Sequence, residues 1–187
     1  GTNNEGKYRE ICALLPSKIK KYNPKQFEIS SPDETGKTFK ENSLIKAAYF
    51  SKKTDLICLS DDSGLEIDVL KGEPGIYSAR WSGEKNNFNL AIKKIYKKMN
   101  NAEKDWKKNN TARFISCMAL FWPNGKSFTS KGVVKGKISV KKKGKNGFGY
   151  DPIFIPDGYK QTFGQMKPKL KMSIDHRFKA FMKIKNF

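Results

Sequence analysis

The chain has 187 residues, a length that fits one compact domain, or at most two lobes sharing a core, with a sizeable buried interior. No run of about eighteen apolar residues and no signal-peptide pattern occurs, so we expect a soluble, cytoplasmic protein without a membrane partner. Lysine and arginine exceed aspartate and glutamate by 38 − 18 = 20, so the protein should attract polyanions.

The basic excess consists mostly of lysine. Arginine, whose planar fork reads base edges in duplex grooves, occurs at four positions: Arg9, Arg80, Arg113 and Arg177. The lysines are scattered along the whole chain and form no periodic stripe. Nucleic acid is therefore not the expected main partner, although a lysine-rich nucleic-acid-binding module stays open as an alternative.

The chain opens with a polar loop, Thr2-Asn3-Asn4-Glu5-Gly6-Lys7, which precedes apolar residues at helical spacing. A helix start presents free N–H groups and a positive dipole end to anions, and Lys7 adds a full charge. The pattern indicates a phosphate-binding loop, and an ordinary capped helix is the alternative. Because such a loop normally follows a strand, we expect the first strand of the native protein to be absent from this numbering.

A short strand is predicted around Phe27 and Ile29. Thr38 and Glu41 then match a capping box, which predicts a helix from there to about Lys53. Glu34 lies in the loop before this helix, where it is either a helix-end anion or a ligand.

The next segment places two carboxylates after an apolar run. Residues 56–59 are apolar, Asp61 and Asp62 follow, and a Ser63-Gly64 turn is predicted before a second strand. Mg²⁺ is usually held by one or two carboxylates, with water and substrate phosphates completing its shell. The pattern therefore points towards phosphate chemistry.

The rest of the chain alternates helical and strand patterns. The predicted elements are a helix with Phe88, Ile92, Ile95 and Met99 on its apolar face, strands at 112–121, 133–140 and 153–155, a turn at 123–126 with a returning strand, a glycine-framed loop at 144–152 and a helix from His176. This order predicts an α/β protein.

Four segments in this order resemble the inosine triphosphate pyrophosphatase family, over essentially the whole chain. They are Thr2 to Lys7, Glu34-Thr35-Gly36 with Glu41-Asn42, Asp61 to Gly64 with Pro74-Gly75 and Ser78-Ala79-Arg80, and Phe148 to Pro152 followed by His176-Arg177. The resemblance implies one domain over residues 1–187, built as an elongated, twisted mixed sheet with flanking helices and two lobes around a nucleotide-binding cleft. It also implies a homodimer, a requirement for Mg²⁺ or Mn²⁺ and purine nucleoside triphosphates as substrates.

The resemblance also implies roles for particular residues. Glu34 and Asp62 would bind the metal, and Asp62 would activate water with support from Asp61. The residues implied in substrate binding are Thr2, Asn3, Asn4, Lys7, Lys46, Ser63, Phe148, Gly149, Tyr150, Asp151, Lys171, His176 and Arg177. Asp175 departs from the serine that the family commonly has before His-Arg.

The expected reaction is hydrolysis of non-canonical purine triphosphates such as ITP, dITP and XTP to the monophosphate and pyrophosphate. Donors from His176 and Arg177 suit the oxygen at position 6 of hypoxanthine and xanthine, whereas adenine presents an amino group there. A related pyrophosphatase for modified pyrimidine triphosphates is a second alternative.

Overall fold

A computed structural model describes residues 1–83 and 86–185. The helices are α1 Glu5–Leu14, α2 Phe39–Thr54, α3 Phe88–Ala102, α4 Pro168–Ile174 and α5 His176–Lys185, and the strands are β1 Cys58–Ile67, β2 Thr111–Phe121, β3 Ser127–Ile138 and β4 Phe154–Pro156. The expected α/β class is confirmed. In the two ranges described, no helix combines the length and the apolar character needed to cross a bilayer.

The strands form one open sheet in the order β1-β2-β3-β4, which is also their order along the chain. Helix α3 connects β1 to β2, and the predicted turn joins β2 to β3, where the Trp122 N–H donates to the Lys126 carbonyl at 2.9 Å. β3 pairs with β4 so that Lys137 faces Ile155. The pairs among these four strands are antiparallel, so no parallel pair of the expected mixed sheet lies in the described ranges.

The chain divides into two compact units, and the division falls inside β1, β2 and β3. The first unit contains Gly1–Asp62, Ser116–Gly132 and His176–Phe187, and the second contains Ser63–Ile115 and Val133–Asp175. The first unit has two apolar clusters, one with Ile11, Met118, Ala180 and Phe181 and one with Ala47, Phe50, Cys58 and Ala119. The core of the second unit includes Leu65, Ile67, Ile92, Ile95, Met99, Phe154 and Phe163. The single domain over residues 1–187 stays a prediction.

Two helices follow directly from the patterns that predicted them. The face of α3 that carries Ile92, Ile95 and Met99 is buried, as its spacing indicates. At the start of α2, the Thr38 hydroxyl accepts from the Glu41 N–H at 3.1 Å. The Glu41 carboxylate accepts from the Lys37 N–H rather than from Thr38, so half of the predicted capping box forms.

Three expectations about the elements were wrong or incomplete. The strand predicted around Phe27 is a short 3₁₀ helix, Pro24–Phe27, because Pro24 fixes the backbone for a turn and the Asn23 side chain caps it. No turn interrupts β1 at Ser63-Gly64, since Gly64 has no positive φ and the residues on both sides continue the strand. The sequence analysis also did not predict α4, although Pro168 in its first turn is typical of a helix start.

Candidate active site

The two adjacent acids of β1 enter different surroundings. Successive side chains of a strand point to opposite faces of the sheet, so Asp61 and Asp62 diverge from one backbone. Asp61 contacts residues of α1, β2 and α5, whereas Asp62 contacts α2. Asp61 is fully buried and Asp62 is 4% exposed.

Asp61 is surrounded by donors. Its Oδ2 lies 3.3 Å from Lys7 Nζ and 3.4 Å from Arg177 Nε, and its Oδ1 accepts from the Ser116 hydroxyl. Burial alone would raise the pKa of Asp61, but the charges of Lys7 and Arg177 and the Ser116 hydrogen bond hold that pKa well below its usual range. Asp61 is therefore an anchor for two cations, which in turn favour its ionised form.

Arg177 also contacts a residue that the sequence reading missed. Its Nη1 lies 2.7 Å from Glu10 Oε2 of α1, and both Arg177 and its neighbour His176 are buried. Glu10 lies three residues after Lys7, so both project from the same face of α1. That spacing was the signal in the sequence that could have indicated Glu10 as a site residue. Ser116 had no such signal, since it is one polar residue in an apolar strand.

Asp62 belongs to a second group of charges. Lys46 of α2 places its Nζ 2.9 Å from Asp62 Oδ1 and 2.5 Å from Glu34 Oε1, and Lys46 is 6% exposed. Burial raises the pKa of Asp62, against the opposing charges of Lys46 and Lys7. Burial would lower the pKa of Lys46, but Asp62 and Glu34 raise it. One ammonium thus bridges the two carboxylates that the family resemblance implies as metal ligands.

The other oxygen of Asp62 bears on metal binding. Asp62 Oδ2 is buried and has no hydrogen-bond partner within residues 1–83 and 86–185. No cluster of three or more histidine, cysteine or acidic side chains suited to a metal occurs in the same ranges. Two carboxylates suffice for Mg²⁺ when water and phosphate complete its shell. Glu34 and Asp62 therefore fit a hard divalent cation.

The loop at the chain start is organised as a helix cap. The Asn4 side chain accepts from the Lys7 N–H at 3.0 Å, and Thr2 Oγ1 accepts from the Asn4 N–H at 3.2 Å. Asn3 donates to the Ser31 hydroxyl at 3.0 Å. Lys7 lies in the first turn of α1, where burial lowers its pKa despite the nearby Asp61. The cap does not exclude phosphate, because free N–H groups remain at the helix start.

A further group of predicted residues lies in the second unit. Asp151 Oδ2 accepts from Lys171 Nζ at 2.7 Å and from the Phe148 N–H at 2.8 Å. Lys171 Nζ also lies 5.1 Å from the centroid of the Phe148 ring. Gly147 has a φ of 71°, and a Cβ there would lie 2.0 Å from the Asp151 carboxylate. The turn therefore requires glycine, and it presents a half-buried Phe148 beside a buried acid–lysine pair.

Tyr150 has a core position in this loop. It is 3% exposed, its hydroxyl donates to the Ser78 carbonyl at 2.8 Å and its ring meets the edge of Phe88 at 5.2 Å between centroids. Burial raises the pKa of Tyr150. Its substrate contact, like those of Ser63 and Gly149, stays a prediction.

The structure brings most of the predicted charged residues into two groups. Within the first unit, Asp61 contacts Lys7 and Arg177, and the adjacent Asp62 shares Lys46 with Glu34. Within the second unit, contacts join Phe148, Asp151 and Lys171. Buried carboxylates on a strand, with lysines from two helices around them, define an α/β protein equipped for phosphate chemistry. The chain belongs to the Ham1 family, whose family model matches residues 1–187.

Comparison with known proteins supports the same family. The chain is similar to the dITP/XTP pyrophosphatase of Caulobacter vibrioides, with 42% identity over 184 residues, 98% of this chain and 93% of that protein. It is also similar to the dITP/XTP pyrophosphatase of Brucella melitensis, with 39% identity over 96% of this chain and 87% of that protein. The expected family resemblance is confirmed.

Solved structures are similar over the whole chain. A HAM1 protein from Coxiella burnetii superposes with a TM-score of 0.88 at 34% identity, covering 100% of this chain and 94% of that one. The nucleoside-triphosphatase / dITP/XTP pyrophosphatase from Mycobacterium abscessus superposes with a TM-score of 0.76 at 33% identity, covering 98% and 95%.

Proposed function

We propose that this protein hydrolyses non-canonical purine nucleoside triphosphates, dITP, XTP and ITP, to the monophosphate and pyrophosphate. The relatives named as dITP/XTP pyrophosphatases support the substrate class. The observation in the structure that carries the proposal is Asp62, a buried carboxylate beside the ammonium of Lys46, whose Oδ2 has no hydrogen-bond partner among the described residues. Such a group can accept a proton from water next to bound phosphates.

Glu34 and Asp62 are the proposed ligands of Mg²⁺, with Mn²⁺ as a substitute. When bound, the ion supplies charge neutralisation for the pyrophosphate and lowers the pKa of coordinated water. The convergence of both carboxylates on Lys46 Nζ supports this assignment.

The chain's own residues then have distinct roles. Asp62 orients a water towards the α-phosphorus and takes its proton while the bond from that phosphorus to the bridging oxygen breaks. The electron pair leaves with pyrophosphate, whose charge Lys7 and Lys46 stabilise. Asp61 keeps Lys7 in place through their contact at 3.3 Å. The loop residues Thr2, Asn3 and Asn4 are the further proposed phosphate contacts.

Base selection is assigned to hydrogen-bond donors. His176 and Arg177 donate to the oxygen at position 6 of the base. Arg177 carries N–H donors in a fixed planar fork, which suits an oxygen acceptor. A base with an amino group at position 6 leaves these donors unpaired, which costs binding free energy.

The direct test is pyrophosphate release from dITP, XTP and ITP compared with ATP, GTP and dUTP, each with and without Mg²⁺. We expect kcat/KM for the first three to exceed that for ATP by at least about 100-fold, because unpaired donors penalise adenine. Removal of Mg²⁺ should abolish release. Equal values for ATP and XTP would contradict the proposal, and a preference for dUTP would favour the pyrimidine alternative.

We also propose that the protein acts in the cytoplasm as a homodimer. The described cysteines Cys12, Cys58 and Cys117 are free thiols, which suits a reducing compartment. Analytical ultracentrifugation should give twice the mass of one chain, and a monomer at micromolar concentration would contradict the dimer.

A further inference from the structure

Lys46 occupies an unusual position for a lysine expected to bind phosphate. Its side chain is buried, and both of its carboxylate partners, Glu34 and Asp62, belong to the proposed metal site. A buried ammonium is stable there because each carboxylate offsets its desolvation. In return, the ammonium offsets the repulsion between the two carboxylates.

The distances show why this position matters for metal binding. Lys46 Nζ is 2.5 Å from Glu34 Oε1 and 2.9 Å from Asp62 Oδ1. Mg²⁺ holds oxygen ligands at about 2.0–2.1 Å, so an ion bound by these same oxygens would need the space that the ammonium fills. An ion on Asp62 Oδ2, which has no hydrogen-bond partner among the described residues, would lie on the same carboxylate as the ammonium and repel it. The ammonium and the ion therefore oppose each other at this pair of acids.

The structure indicates that the side chain of Lys46, rather than helix α2, would move when an ion binds. Helix α2 is capped by Thr38 and buries Ser43 before Lys46 and Ala47 after it, which fixes its backbone. The long lysine side chain can turn about its own bonds without moving the helix. Its charge would then need a new anionic partner.

We propose that Lys46 is a built-in competitor of the divalent cation, which holds Glu34 and Asp62 together until the ion displaces it towards the substrate phosphates. This inference rests on the proposed function and deepens it. The displaced ammonium loses two carboxylates, which weakens metal binding in the absence of nucleotide. A polyphosphate gives the ammonium a new partner, so metal and nucleotide bind cooperatively.

The test is metal binding without turnover, by electron paramagnetic resonance titration of Mn²⁺ in the absence of nucleotide. Lys46→Gln should lower the Kd for Mn²⁺ about tenfold, a typical size for coupling between two ligands. Lys46→Arg keeps a positive charge beside both carboxylates, so it should lower the Kd for Mn²⁺ less than Lys46→Gln does. An unchanged or higher Kd in Lys46→Gln would overturn the proposal.

Two controls separate displacement from a general change of charge. Lys7→Gln removes a nearby ammonium that contacts Asp61 and does not bridge Glu34 and Asp62. Lys52→Gln removes an exposed charge from the same helix as Lys46. Both should change the Kd for Mn²⁺ less than Lys46→Gln does. An equal decrease of the Kd in Lys7→Gln would mean that the total positive charge near the site sets the affinity for Mn²⁺, and the proposal would fail.

A measurement on the wild type keeps the inference testable if the variants do not fold. The ¹⁵N resonances of lysine Nζ report hydrogen bonding and protection from solvent. On addition of Mg²⁺ without nucleotide, the Lys46 Nζ signal should shift and lose protection, and an unchanged signal would overturn the proposal. Neither assay requires hydrolysis, so an inactive protein that shows the displacement would refute only the proposed function.

Discussion

Asp61 and Asp62 show how neighbouring residues of one type acquire different chemistry. Asp61 faces Lys7, Arg177 and the Ser116 hydroxyl, and its pKa is lowered. Asp62 has one oxygen on Lys46 and one without a partner in the described ranges, and its pKa is raised. A carboxylate whose pKa is lowered by two neighbouring cations suits a structural role, whereas a carboxylate with a raised pKa suits proton transfer.

We expect Asp62→Asn to lower kcat by about 10²–10⁴-fold, because the amide cannot accept the proton of the attacking water. The fold should persist, since the substitution preserves shape and Lys46 keeps Glu34. Pyrophosphate release and the thermal unfolding midpoint measure the two effects. Turnover close to that of the wild type would remove Asp62 from the mechanism.

Asp61→Asn should act mainly on stability. It leaves Lys7 and Arg177 buried near a neutral amide, and breaking a buried ion pair in this way costs about 3–5 kcal/mol. Urea unfolding measures this loss. The matched control is Asp105→Asn, whose ion pair with Lys108 is exposed and should contribute less than about 1 kcal/mol. Equal free energies of unfolding for the two variants would contradict the anchoring role of Asp61.

At the scale of elements, the position of α5 depends on a glycine of β3. A Cβ at Gly132 would lie 2.1 Å from the His176 carbonyl oxygen and 2.4 Å from the Ala180 nitrogen. The neighbouring Ser130 hydroxyl donates to the Ala180 carbonyl at 2.8 Å. The strand backbone thus directly supports the helix that carries His176 and Arg177.

Gly132→Ala should therefore displace α5. We expect a loss of about 1–3 kcal/mol in the free energy of unfolding, as for other overpacked sites, and a higher KM for XTP because Arg177 moves with the helix. Urea unfolding and steady-state kinetics measure the two effects. Lys131→Ala, at the adjacent exposed position, is the control and should change neither value. A stable Gly132→Ala variant with an unchanged KM would show that α5 tolerates the added methyl group.

The sequence predicted elements whose signals are local and missed contacts that depend on distant residues. The apolar spacing of α3 and the Thr38 cap of α2 lie within a few residues of the elements that they specify. The interpretation of Ser63-Gly64 as a turn was wrong because pairing within the sheet keeps this segment extended. Glu10 and Arg177 are 167 positions apart, so no local pattern could pair them. The residue types of the candidate site could be predicted from the sequence. Which of these residues form ion pairs with one another could be seen only in the folded structure.

For the whole molecule, the net charge of +20 requires a functional explanation that the site alone does not give. A field of one sign raises the local concentration of anionic ligands and the rate at which they arrive. A nucleoside triphosphate is such a ligand. At 0.1 M salt, its attraction to charges of the protein is largely screened beyond a distance of about 10 Å. The charge should therefore affect capture of the substrate rather than the chemical step.

We expect kcat/KM for XTP to fall about tenfold or more as KCl rises from low salt to about 0.3 M, with kcat nearly constant. The double variant Lys93→Glu and Lys97→Glu changes two exposed lysines of α3 and lowers the net charge to 20 − 4 = +16. Its kcat/KM should depend less steeply on salt, because the field that salt screens is weaker. Equal slopes for variant and wild type would show that these lysines do not steer substrate. A nucleic-acid-binding module would instead show a steep dependence of its DNA or RNA affinity on salt, and no preference among triphosphates, because its binding would come from counterion release along a phosphate backbone.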